Sequence, residues 1–177
     1  MPPAEAAVVL EFAPSPLRRP EVTAEVTRGA ARLLVGLGFA PLAEVVLPNG
    51  RRADLMALGP RGEIVIVEVK SSIEDYRVDR KWGEYALFCE RFYFAVAPEF
   101  PRHILAEGPG LIVADGFGGA ILTDSPHIAL APARRKALTL AFARLAANAA
   151  SRFGAMVDHA SITSARSSSS LRCSICT

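Results

Sequence analysis

Long apolar runs are missing from this chain of 177 residues. A membrane-spanning helix needs about 20 consecutive apolar residues. Stretches such as Ile64 to Val67 and Leu111 to Ala114 have only the length of a strand. The N-terminus opens on Pro2, Pro3 and two acidic residues rather than a basic and then apolar leader, so the expected location is cytoplasmic, with no membrane partner. Strong charge of one sign is missing too. The formal net charge is +2, and this balance does not by itself point to nucleic acid. Any DNA contact must then come from a local basic patch. Cysteine is scarce, with three in all. Cys89 falls in an apolar stretch and reads as a small buried hydrophobe. Cys173 and Cys176 form one isolated C-x-x-C, whereas a zinc site needs a second pair or histidines at ligand spacing. His103, His127 and His159 are scattered, and no two have that spacing.

Apolar residues, by contrast, are plentiful at 51%, enough for one domain with a sizeable core. Residues 1–20 are rich in proline, which removes backbone donors and blocks helix growth, so they read as a flexible tail. The domain is expected over 21–152, and a Ser-rich tail too polar to order itself over 153–177. Val22, Val26, Ala30, Leu33 and Leu34 recur at helical spacing, which predicts a helix from Glu21 to Gly36. Strands are predicted at Ala43 to Leu47 and Arg52 to Leu58, joined through Asn49-Gly50, a strong hairpin signal. Ile64 to Lys70 reads as a central strand covered on both faces. A helix from Asp75 to about Glu90 and a strand from Phe92 to Ala97 then imply a right-handed parallel crossover. Strands at Leu111 to Ala114 and Ala120 to Thr123 follow. A helix from Arg134 to about Ala150, opened by Pro132, closes the domain. The fold class is α/β, a mixed β-sheet flanked by helices.

Within the most apolar strand stand Glu68 and Lys70, two apart and hence on one face. Buried charge is costly unless it is paired or holds a metal. A mutual ion pair is the simplest account of that motif alone. Asp54 changes the balance. It lies on the preceding strand, 13 intervening residues away, where an antiparallel hairpin brings it beside Glu68. Two carboxylates repel unless a cation sits between them. Asp54, Glu68 and the Val69 carbonyl make an oxygen donor set suited to Mg²⁺ or Mn²⁺. Such an ion polarises phosphate and activates water for hydrolysis. Lys70 would position or deprotonate that water, or neutralise developing charge.

Asp54 with Glu68-Val69-Lys70 resembles the PD-(D/E)XK nuclease signature, although Ala53 stands where that name has proline. More specifically, Gly50-Arg51-Arg52-Ala53-Asp54, Ile66 to Ser72 and Asp79-Arg80-Lys81-Trp82 resemble the MmcB family of bacterial DNA repair proteins. The similarity continues through Arg91 to Val96, Gly110 to Asp115 and Ala131 to Arg135. The resemblance implies a restriction-endonuclease-like core and a DNA repair protein associated with the nucleoid. Its catalytic residues would be Asp54, Glu68 and Lys70. The implied activity is metal-dependent hydrolysis of DNA phosphodiester bonds. The alternative is a non-catalytic repair or mutagenesis adaptor. Implied partners are DNA, other DNA-repair or translesion-synthesis proteins, and a second copy, since many nucleases of this fold pair to cut two strands.

Other residues are weighed around that centre. Glu44, nearly opposite Asp54, is a candidate further catalytic acid, and Glu25 on the first helix is an alternative. Arg51, Arg52, Ser71, Arg77 and Lys81 are candidate DNA contacts, placed to hold phosphates without reading bases. Ser71 and Ser72 could equally satisfy backbone groups at the strand end. Trp82 and Tyr85 have spacing that fits core packing better than base stacking. Asp115 reads as a turn residue.

Overall fold

The structure, a computed structural model, describes residues 19–78 and 82–166. Helix α1 (Arg19–Gly36) leads into strands β1 (Ala40–Val46), β2 (Arg52–Leu58) and β3 (Ile64–Lys70). Helix α2 (Ile73–Val78) follows, then β4 (Arg91–Val96), β5 (Gly110–Ala114), β6 (Gly119–Thr123) and the long helix α3 (Pro132–Arg166). The six strands form one sheet in sequence order. β1, β2 and β3 are antiparallel, β3, β4 and β5 parallel, and β6 antiparallel to β5. This is the mixed α/β sheet expected from the sequence. No described helix is long and apolar enough to cross a membrane.

Local chemistry fixes the element ends. Pro20 sits in the first turn of α1, where its missing N–H costs nothing. Gly38 ends the helix with φ 84, while Phe39 N–H reaches back to the Leu34 carbonyl at 2.9 Å. In the β1–β2 turn Gly50 takes φ 79, and Arg51 N–H donates to Asn49 Oδ1 at 3.1 Å.

Every residue of β3 is buried, as its unbroken apolar run predicts. Val65 and Val67 pack with Val26, Ala30 and Leu34 of α1 on one face. Ile64 and Ile66 pack with Phe92, Phe94, Leu138 and Phe142 on the other. Glu90 anchors the start of α3. Its Oε2 accepts from Ile64 N–H at 2.9 Å, and its other oxygen pairs with Arg135.

Two expectations change. The single helix expected over 75–90 is instead the six-residue α2, then, after residues 79–81, which lie outside the described residues, a 3-10 turn at Trp82–Glu84. Ser72 starts α2 early by accepting from Asp75 N–H at 3.2 Å. Gly83 is a poor helix former, and Trp82 and Tyr85 stack on Phe92 rather than line a helix. They are core residues, as their spacing suggested. The second change is α3, which runs to Arg166, past the expected domain edge at 152. No proline interrupts residues 133–166, and helix propagation needs only one added bond per residue. Residues 1–18 and 167–177 of the expected tails lie outside the described residues.

Gly29 sets how closely α1 approaches the β5–β6 turn. A Cβ there would overlap the carbonyl oxygens of Asp115 and Gly118. Backbone cannot swing aside as a side chain can, so Gly29→Ala is expected to cost about 1–3 kcal/mol. Thermal unfolding checks this, and an unchanged midpoint would contradict the packing.

Candidate active site

The β2–β3 ladder stops at Leu55↔Val67. Beyond that point carboxylates take over from main-chain carbonyls. Asp54 N–H donates to Glu68 Oε1 at 3.3 Å, and Val69 N–H donates to Asp54 Oδ2 at 2.7 Å. The two acids therefore lie side by side where the strands separate, as the hairpin register predicted. Oδ1 of Asp54 takes no part in these two bonds.

Lys70 completes the group. Its Nζ lies 3.9 Å from Glu68 Oε2, with the two side chains only 3% and 6% exposed. The ammonium also lies 6.0 Å from the centre of the Phe94 ring. One buried cation thus faces two carboxylates. Burial pushes the Asp54 carboxyl above its ordinary 3.8. The Val69 N–H bond and the Lys70 charge pull against that rise, while the nearby Asp75 carboxylate adds to it.

Asp54 opens onto a cleft of about 650 Å³ between α1 and the β1–β2 hairpin. Thr23, Thr27 and Arg28 of α1 form one wall, and Pro41 and Glu44 of β1 the other. Asp54 and Glu68 bring carboxylate oxygens together, the donor type taken by hard divalent cations. Among the described residues no three of His, Cys, Asp and Glu converge as a metal cluster. A cation here would rest on two carboxylates, with phosphate and water filling the remaining positions, a common arrangement for magnesium.

The other candidate residues are spread more widely. Glu44 shares the Asp54 cleft, but its carboxylate pairs with Arg52 at 3.2 Å and does not join Asp54 and Glu68. Its backbone is in the left-handed region at φ 55, uncommon for a residue other than glycine. The reason is local: β1 pairs at Ala43 and Val45, and Glu44 is the irregular residue between them. Glu25 lies in a different cleft, with Ser71, Ser72 and Asp115, and meets Arg28 at 3.9 Å. Arg51 is held by Glu84 through bonds of 2.9 and 3.2 Å. Ser71 N–H donates to Asp75 Oδ2 at 3.2 Å, so it serves the strand-to-helix turn. Arg77 is exposed on α2, and Lys81 lies outside the described residues. Burial pushes the Cys89 thiol up to about 12, as suits an inert core residue.

Sequence reasoning missed Asp75 and Glu84. Ser72-x-x-Asp75 is a capping signal that could have placed Asp75 at this turn. Glu84 and Arg51 are 33 residues apart, and no local pattern joins them.

The raised Asp54 pKa has a sign. The folded state holds this proton more tightly than the unfolded chain does, so the stabilising contribution is full below pH 3.8. It is lost as pH rises through the raised folded value. Asp54→Asn keeps an acceptor for Val69 N–H and removes the titration. Urea unfolding across that range is expected to show a fall in stability for the parent that the variant lacks. Parallel profiles would contradict the assignment.

A family described as DNA repair protein MmcB-like matches residues 12–160. A solved structure of a protein of unknown function from Silicibacter pomeroyi is 42% identical, with a TM-score of 0.71. The match covers 77% of this chain and 92% of that one. No curated protein matches. The family match takes in every described strand, the Asp54–Glu68–Lys70 group and most of α3, and the chain therefore belongs to the MmcB-like family of DNA repair proteins.

Proposed function

We propose that this protein is a metal-dependent DNA nuclease of the PD-(D/E)XK type that hydrolyses phosphodiester bonds. What supports the reading is Asp54 beside Glu68, with Lys70 buried against them, at the point where β2 and β3 separate. Family membership supports DNA as the substrate. Asp54 and Glu68 would hold Mg²⁺ or Mn²⁺, with the Val69 carbonyl beside them. When bound, such an ion polarises a phosphate oxygen and lowers the pKa of a neighbouring water. Lys70 brings a fixed positive charge to the scissile phosphate, in surroundings too dry to screen it. Water adds to phosphorus, the bond to the leaving sugar oxygen breaks, and that oxygen takes a proton. Arg28, on the cleft wall, and the exposed Arg77 would contact backbone phosphates.

A second reading is a non-catalytic repair adaptor. Arg51 and Arg52 favour it, because Glu84 and Glu44 already neutralise both. Free phosphate-binding arginines would be expected of a protein that grips DNA tightly.

Cleavage of labelled single-stranded, duplex, nicked and branched DNA, and of RNA, separates the two. The nuclease reading expects cutting of DNA with Mn²⁺ or Mg²⁺ and none with EDTA. Lys70→Ala alone is a poor control, since it strands the buried Glu68 charge at a cost of roughly 3–5 kcal/mol. The paired variant Glu68→Gln with Lys70→Met removes both charges and keeps the acceptor for Asp54 N–H. Together with Asp54→Asn, it is expected to lower cleavage by about 100-fold or more while remaining folded. No cutting of any substrate, or cutting unchanged in these variants, would favour the adaptor.

A further inference from the structure

Phe117 is 89% exposed at the tip of the β5–β6 turn. Single exposed apolar residues are ordinary. What surrounds this one is not. Asp115 Oδ1 accepts from both Phe117 N–H, at 2.7 Å, and Gly118 N–H, at 3.0 Å. From α1, Arg28 Nε donates to the Gly116 carbonyl at 3.1 Å. Arg32 donates to the carbonyls of Gly116 and Phe117 at 2.8 and 3.2 Å. Gly29 lets the helix backbone come up against the turn. Five hydrogen bonds and a close backbone approach thus fix a turn whose one large side chain touches almost nothing.

We propose that Phe117, flanked by Arg28 and Arg32, is a stacking platform for an unpaired DNA base. An aromatic face accepts any base, and arginine adds attraction for the adjoining phosphate. A rigid platform loses little freedom when a base settles on it. Both arginines are exposed, and each spends only part of its five-donor fork on the turn. Glu25 at 3.9 Å offsets part of the Arg28 charge, and the Asp115 carboxylate is turned onto the two turn N–H groups. Arg28 also lines the cleft onto which Asp54 opens. A strand leaving that cleft over α1 therefore meets Phe117. The proposal rests on the DNA reading above and narrows its substrate to DNA with an unpaired stretch.

The test uses the full chain in EDTA, with fluorescein-labelled oligo(dT) as the single-stranded probe and a duplex of equal length. Phe117→Ala is expected to weaken oligo(dT) binding by roughly 5- to 150-fold and to leave duplex binding unchanged. Phe117→Trp is expected to retain binding, with indole fluorescence quenched as the strand adds. Phe117 is 89% exposed, so both variants should melt like the parent. If Phe117→Ala binds oligo(dT) as tightly as the parent, the platform is refuted while the nuclease reading stands. If the parent binds neither probe, the DNA reading falls and the platform with it.

Discussion

Asp54 and Glu68 each accept a hydrogen bond from a main-chain N–H just beyond the last rung of the β2–β3 ladder. A buried N–H left without an acceptor is costly, so the carboxylates hold the diverging strands together as carbonyls would. They also bring two like charges together, and Lys70, from the same strand as Glu68, and Arg52 act against that repulsion. Burial is also the main reason that the Asp54 carboxyl lies above its ordinary pKa. An apolar pair at these positions would avoid burying charge but would leave both N–H groups without these acceptors. Under the proposed function the same two carboxylates also carry the chemistry.

The rest of the fold serves this point. β3 lies deep in the sheet and is covered on both faces, so Glu68 and Lys70 cannot drift. α1 crosses one face and forms a wall of the cleft onto which Asp54 opens. The same helix pins the β5–β6 turn through Gly29, Arg28 and Arg32. One helix thus links the acid pair, the cleft wall and the exposed Phe117.

Much of this was readable from residues alone. The run Ile64 to Lys70 announced a central strand, and the short link through Gly59 and Gly62 between it and the strand of Asp54 made the antiparallel pair that sets Asp54 beside Glu68. Those signals are local or depend on a period of two. What escaped was decided at a distance. Arg51 meets Glu84 and Arg52 meets Glu44, so two apparent phosphate contacts are already paired. A 3-10 turn at Trp82–Glu84 stands where a regular helix was expected, with Trp82 and Tyr85 stacked on Phe92. Glu44 lies opposite Asp54 as expected, yet an irregular residue in an edge strand aims its side chain elsewhere.

The proposed function requires Asp54 and Glu68 together to hold a divalent cation. Anomalous diffraction from crystals soaked in Mn²⁺ tests it without recourse to activity. A manganese peak is expected at about 2 Å from an oxygen of each carboxylate, the bonding distance of small divalent cations. Intact carboxylates with no peak between them, under conditions where manganese is seen elsewhere in the crystal, would contradict it. The pair would then be a structural device that closes the end of a sheet.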